Sequence, residues 1–310
     1  MDRKKRPLFK HPPKVRPPKI VPRREVGIAP PAAAFIPPQL NDPRIGMFEP
    51  PLPIPFEFYA EDRWNGRGRL KIPKVRHCLY HVYPRTGSLW RTRINALLEA
   101  LPLFNGKVIV AIAYDGTTEH PEFVESALQG YPVDTIRVHN DPDLREVATF
   151  NELFSRLAST KRADHCTLYA HAKGVTRPRD GICQKWVQTL EEICFRHWDH
   201  VCRLLTHYPI VGPFLQHTAE HAWHYSGSWF WFRNDRIFGK GDWQTIDSEW
   251  HGIESWARGQ VEEHEAGVLF GAGKLPSMNL YDVRVWKQHV EPALQLWLEH
   301  HPSCLPETPK

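Results

Sequence analysis

The sequence predicts an α/β protein: a mostly parallel sheet flanked by helices, behind an extended proline-rich arm. Three observations carry this expectation. From Val75 to Tyr169 short apolar runs alternate with helical patterns in the order β-α-β-α-β-α-β, the sequence of elements that builds a parallel sheet covered on both faces. One run, Lys107-Val108-Ile109-Val110-Ala111-Ile112-Ala113, is continuously apolar, as a strand buried on both faces requires. Finally, the 29 prolines gather at the front of the chain, where Pro-Pro pairs recur and neither helix nor inner strand can persist.

The elements follow in order. Residues 1–25 read as a basic disordered arm, and 26–74 as a proline-rich extended segment whose Phe35, Phe48, Phe56 and Trp64 pack on the domain. A domain over 75–302 follows, with a short tail at 303–310. Within the domain, residues 77–83 read as a first strand. Leu89 to Leu101 reads as a helix, with Ile94, Leu97, Leu98 and Leu101 at three- and four-residue spacing. Pro121 to Leu128 is a short helix opened by proline. Asp134 to Val138 is a third strand, Leu144 to Leu157 a third helix and Cys166 to Tyr169 a fourth strand. Gly181 to Tyr208 reads as one long helix, Ile210 to Gly212 as a short strand, Ser228 to Arg233 as an aromatic strand, and Val285 to Leu298 as the closing helix.

Charge and composition narrow the function classes. The net charge of +5 comes from the arm, with Arg3, Lys4, Lys5, Arg6, Lys10, Lys14, Arg16, Lys19, Arg23 and Arg24 against few acids. The basic balance therefore describes an arm suited to an acidic protein or an anionic membrane surface, and no specific nucleic-acid binding is expected. No run reaches the roughly 18 apolar residues of a membrane span, and no apolar run follows the basic start, so a secretory leader is not expected. The six cysteines show no C-x-x-C spacing and read as small buried residues in a reduced, cytoplasmic setting.

In open α/β sheets ligands sit beyond the carboxyl ends of the strands, so candidate site residues are sought there. After the first strand come His81 and Tyr83, and after the second comes Asp115, an acid placed to hold a ribose or base, or simply to close an Asp-Gly turn. After the third come Asn140, Asp141, Asp143 and Arg145; Asp141 and Asp143 can hold Mg²⁺ or Mn²⁺ carrying a diphosphate, or cap the next helix. After the fourth strand, His171-Ala172-Lys173-Gly174 offers a cation and a flexible backbone to an anionic ligand, with Arg177 and Arg179 nearby; a plain basic loop is the alternative. His224, Ser226, Gly227, Trp229 and Trp231 suit a pocket wall or a core strand. Glu254, between Trp250 and Trp256, suits a general base whose pKa an apolar setting raises, or a half-exposed surface acid. His217, His221 and His224 would share a face only if that segment were helical, which would open a zinc site.

Three of these segments together resemble a known family. His171-Ala172-Lys173-Gly174 is similar to the His-x-Lys-Gly motif of bacterial and viral glycosyltransferase-like proteins, including the rhamnan-synthesis group. His224-Tyr225-Ser226-Gly227-Ser228-Trp229-Phe230-Trp231 resembles their His-x-Ser-Gly-x-Phe-Trp-Trp segment, and Gly252-Ile253-Glu254-Ser255-Trp256 their Gly-x-Glu-x-Trp. The resemblance spans about residues 76 to 260. It implies a GT-A fold, in which a Rossmann-like sheet binds a nucleotide sugar beside an acceptor half, and transfer of a sugar to a glycan or other hydroxyl acceptor. It makes Glu254 the base of an inverting enzyme. Read with the strand ends, the expected donor site is His81, Tyr83, Asp115, Asn140 and Arg145, with Lys173 and His171 at the leaving diphosphate. The sugar and acceptor are expected beside His224, Ser226, Gly227, Trp229 and Trp231. GT-A enzymes typically carry a metal-binding Asp-x-Asp at the fourth strand end, where this chain has His171-Ala172-Lys173. Either the lysine replaces the cation or the donor site has changed. A catalytically inactive module that binds a nucleotide sugar or glycan is the alternative.

Overall fold

A computed structural model describes residues 69–141, 143–144, 146–217, 223–248, 252–276 and 279–304. The basic arm, most of the proline-rich segment, Arg145, His221, Trp250, His251 and the last six residues of the tail lie outside the described residues.

The observed fold is the expected class, a mostly parallel sheet flanked by helices. Its parallel half is β1 (Val75–Val82), β2 (Val108–Tyr114), β3 (Val133–His139) and β4 (His165–His171). β1 lies between β2 and β4, and β2 pairs β3, all in parallel. Beyond β4 the sheet turns mixed. β7 (Phe230–Arg233) is antiparallel to both β4 and β5 (Ile210–His217). β5 also pairs with the two-residue β6 (His224–Tyr225) and runs parallel to β8 (Ala266–Pro276). The order across the sheet is therefore β3-β2-β1-β4-β7-β5-β6, with β8 on β5. The chain winds outward from β1 through β2 to β3 and returns to β4 on the opposite side, so the switch point lies between β1 and β4.

The apolar pattern explains why the sheet is covered twice. Cys78, Tyr80 and Val82 of β1 join one buried layer with Trp90, Ile94 and Leu97 of α1 (Trp90–Ala100). The same layer takes in Trp186, Leu190 and Ile193 of α4 (Gly181–Arg196), Val201 and Leu204 of α5 (Trp198–Leu205), and the closing helix. Leu79, Ile109 and Ala111 face the other way. They pack on Phe150, Leu153 and Phe154 of α3 (Val147–Ser155), on α6 (Asn234–Lys240), and on Ile253 and Trp256 of α7 (Gly252–Gln260). α2 (Pro121–Leu128) starts on its proline, as expected, and buries Pro121, Val124 and Leu128.

Several elements depart from the sequence reading, with β5 running on to His217 and β8 unforeseen. The helix expected over Gly181 to Tyr208 is two helices broken at His197, whose backbone leaves the helical region at φ −117° and ψ 50°. The aromatic strand begins at Phe230 and not at Ser228, because Gly227 and Ser228 form a tight turn with φ of 97° and 56°. The closing helix is α8 (Val283–Val285), a π turn over Trp286–Val290, then α9 (Glu291–His300). Among the described residues no helix is long and apolar enough to cross a membrane.

Candidate active site

The carboxyl ends of β1 and β4 place two histidines side by side: His81 and His171 are register partners across the parallel pair. Both are buried at about 5% exposure, and each is fixed by the start of α3. The His81 Nδ1 lies 2.7 Å from the Thr149 hydroxyl, and that hydroxyl gives its own proton to the Glu146 carbonyl at 3.1 Å. His81 therefore carries its proton on Nδ1 and leaves Nε2 as a lone-pair acceptor. Burial first, then the neighbouring His171, lowers its pKa to about 4 against the opposing pull of Glu146, so the ring is neutral at physiological pH.

His171 faces an acceptor at each nitrogen. Its Nδ1 is 2.6 Å from the Glu146 carboxylate, and its Nε2 donates to the Gly227 carbonyl at 2.8 Å. A ring with acceptors on both sides carries both N–H groups. Burial pushes the Glu146 carboxyl up, but the His171 charge and hydrogen bond outweigh it and hold the pKa down at about 2. The Gly227 peptide continues the chain, since its N–H donates to Glu254 Oε1 at 3.1 Å. Glu146, His171, Gly227 and Glu254 thus form one connected network that links the start of α3, the end of β4, the turn before β7 and α7.

Two adjoining clefts open on this network. The first, of about 540 Å³, is bordered by His81, Tyr83, Arg85, Asn140, Lys173 and Arg177. The second, of about 450 Å³, is bordered by Gln216, Ser226, Ser228, Glu254, Asn279 and Trp186. Glu146, His171, Lys173, Arg177 and Tyr281 border both. The Lys173 ammonium rests 4.2 Å from the centre of the Trp186 ring, and the Arg177 guanidinium sits over Tyr281 at 4.7 Å. These cation–π contacts hold two positive charges at the boundary between the clefts.

The floor of the first cleft is organised by Asp115. Its carboxylate accepts from the Tyr83 hydroxyl at 2.8 Å, the Asn140 amide at 2.6 Å, and the Thr117 backbone and hydroxyl at 2.7 Å each. Burial alone would raise this carboxyl; the donors reverse that and lower it to about 2. With its lone pairs spent, Asp115 orients Tyr83 and Asn140, and those two side chains border the cleft.

The remaining expected residues divide clearly. Ser226, Lys173 and Glu254 reach the clefts. Trp229 and Trp231 are fully buried core residues whose indole N–H groups donate to the backbone carbonyls of His171 and Cys194. His224 is buried and 3.1 Å from Ser226 Oγ, which in turn donates to Gln216. His217 ends β5 and pairs Glu263 at 2.9 Å, and His224 lies in β6, so neither of these two sits on a helix; His221 lies outside the described residues. Asp141 accepts from the Asp143 backbone N–H at 2.9 Å; both side chains are exposed and the pair closes a turn. Among the described residues no group of three or more His, Cys, Asp or Glu side chains converges as metal ligands. The cleft carboxylates Glu146 and Glu254 are bonded to His171 and Gly227. The donor set at the strand end therefore does not fit a metal–diphosphate site.

Glu146, Thr149, Gln216 and Tyr281 were not found from the sequence. Only Glu146 left a signal there: an acid directly before an apolar helical run, where a helix start meets a strand end.

No family model and no curated protein matches the sequence. Solved structures give distant overlaps. A protein of Desulfovibrio desulfuricans described as a candidate nucleotide-diphospho-sugar transferase is 11% identical, with 73% of this chain and 97% of that chain covered and a TM-score of 0.31. The glucosyl-3-phosphoglycerate synthase of Mycobacterium tuberculosis is 12% identical over 76% of this chain and 80% of its own, at a TM-score of 0.34. The 4-diphosphocytidyl-2C-methyl-D-erythritol synthase of Anaerococcus prevotii is 9% identical over 66% and 93%, at 0.34. At such scores the fold rests on this chain's own strand order, and the chemistry on its own clefts.

Proposed function

We propose that the protein is a glycosyltransferase that moves a sugar from a nucleotide-sugar donor to a hydroxyl acceptor, with Lys173 and Arg177 doing the work that a metal does elsewhere. The observation that supports this most is the pair of adjoining clefts at the switch point, sharing His171, Lys173 and Arg177 along their boundary.

In this reading the nucleoside lies in the first cleft against His81, Tyr83 and Asn140, whose polar side chains suit ribose hydroxyls or a base N–H. Its diphosphate lies at the boundary, where Lys173 and Arg177 neutralise the charge that grows as the bond between the sugar carbon and the phosphate oxygen breaks. The electron pair of that bond leaves with the diphosphate. Both ring nitrogens of His171 are committed to Glu146 and Gly227, so its part is to hold those two groups in place behind the leaving group. The acceptor lies in the second cleft among Ser226, Ser228 and Gln216. Glu254, which accepts the Gly227 N–H, takes the acceptor hydroxyl proton as the new glycosidic bond forms, an inverting displacement.

Thermal unfolding with a panel of nucleotide sugars, each with Mn²⁺ and with EDTA, tests the donor half. At about 100 times Kd a true donor stabilises by about 2.7 kcal/mol, or roughly 5–10 °C for a domain this size. The shift is expected to survive EDTA and to vanish in Lys173→Met. A shift that needs Mn²⁺ would return the diphosphate to a metal and to Asp141 and Asp143. The lack of three converging ligands among the described residues also suits a module that binds without turnover. A donor that binds but transfers its sugar to no acceptor and to no water would establish that second reading.

A further inference from the structure

We propose that Gln184 and Arg93 are positioning residues that hold the cationic loop 172–180 in its working shape, an inference that rests on the diphosphate role given above to Lys173 and Arg177. Neither side chain borders either cleft, yet the loop hangs on them. The Gln184 amide gives one hydrogen to the Gly174 carbonyl at 3.2 Å and the other to the Arg177 carbonyl at 3.1 Å. Those carbonyls also close the turns of the loop, accepting from the backbone N–H of Arg177 and of Asp180. One side chain therefore ties together both turns that follow Lys173.

The orientation of that amide is set from a third element. Arg93 of α1 is 3% exposed. Its Nη1 pairs Glu191 at 2.7 Å and its Nη2 donates to the Gln184 oxygen. With a guanidinium against its oxygen, the amide has one stable orientation. Flipped, it would set NH₂ against a cation and its oxygen against two carbonyls. Lysine could keep the charge opposite Glu191 but not the fork that also reaches Gln184. Gly174 seals the arrangement. Its φ is +73°, and a Cβ there would meet Cys183 Sγ at 3.0 Å and the Gln184 amide nitrogen at 3.3 Å. Lys173 and Arg177 are long, flexible cations; their aim depends on a backbone that does not move.

The test uses the full chain, titrated with inorganic pyrophosphate by calorimetry, with hydrogen exchange at the Arg177 and Asp180 amides and thermal unfolding in parallel. Gln184→Met removes both donors at similar volume. Gln184→Glu strengthens the contact to Arg93 while turning a bare oxygen toward two carbonyls. Both variants are expected to weaken pyrophosphate binding about tenfold, the order seen when a group that orients a site residue is lost, and to speed exchange at the two amides, while Tm stays within a few degrees. Arg93→Lys should fall between wild type and these. Wild-type pyrophosphate affinity and unchanged exchange in both Gln184 variants, alongside lost binding in Lys173→Met, would overturn the proposal and leave the functional reading standing. If wild type binds neither pyrophosphate nor any nucleoside diphosphate, the diphosphate reading falls, and the positioning role in catalysis falls with it even if exchange changes as expected.

Discussion

At the scale of single residues, the strongest statement the structure makes is that Glu146 and His171 are a pair, and pH exposes it. The Glu146 carboxyl is held at about 2, below its ordinary 4.5. A depressed acid stabilises the fold fully above its unfolded pKa and loses that contribution as pH falls toward the folded one. Urea unfolding of wild type and Glu146→Gln should therefore differ most above pH 4.5 and converge as pH approaches 2; a gap that stays constant would mean that the pair contributes nothing. Asp115 answers a different question. Since its oxygens are spent on Tyr83, Asn140 and Thr117, its value to a nucleotide is indirect. In Asp115→Asn an amide hydrogen would oppose one of those donors, so Tyr83 and Asn140 lose their common anchor. Nucleotide affinity by calorimetry should drop about tenfold with little change in Tm; unchanged affinity would show that the first cleft does not hold the nucleoside.

At the scale of elements, the turn between β6 and β7 concentrates the strain. Ser228 N–H closes it onto the Tyr225 carbonyl at 3.1 Å, and Ser228, which is not glycine, sits at φ 56°. Gly227 at φ +97° has Leu190 Cδ1 3.0 Å from where a Cβ would be, and its peptide carries both the His171 and Glu254 bonds. Gly227→Ala should cost about 1–3 kcal/mol of stability and depress sugar transfer further than donor binding, read as a larger fall in kcat than rise in donor KM; a loss confined to stability would remove the network from catalysis. Here lies the line between what the sequence shows and what it hides. The four parallel strands and their helices are legible because each is a dense apolar run with ordinary punctuation. The break at His197 carries no proline or glycine. β8 has no counterpart in the sequence reading; its glycines interrupt the apolar run, and Gly267 must lack a side chain because a Cβ there would lie 2.7 Å from the Tyr208 ring. The site divides by the same logic. Lys173, His171 and Glu254 announce themselves by charge among apolar neighbours. Trp229 and Trp231 suit a pocket wall as well as a core strand, because a sequence does not say which side of such a segment a cleft opens on.

At the scale of the whole molecule, the clefts depend on one aromatic layer. His81 and His171 are far apart in sequence and become neighbours only because the chain returns from β3 to β4 beside β1; no local pattern encodes that return. On one side of the sheet, α3 carries Thr149 and α7 carries Glu254, and Phe150 locks the two helices to the sheet. Phe150 is fully buried, stacks on Phe154 at 4.0 Å, and meets Tyr169 of β4 at 5.2 Å and Trp256 of α7 at 5.1 Å. Phe150→Ala should cost about 3–5 kcal/mol, or roughly 6–20 °C in Tm for a domain of this size, whereas Leu296→Ala, at a position 43% exposed, should stay within about 0.5 kcal/mol. The informative readout is what survives below the transition. If the layer sets the spacing between α3 and α7, Phe150→Ala at 20 °C will bind pyrophosphate nearly as wild type does, since Lys173 and Arg177 hang on α4 and the opposite layer, but will transfer sugar poorly, since Glu254 has shifted relative to His171. If binding and transfer fall together, the two clefts are not separately supported, and the division of labour between the two layers is wrong.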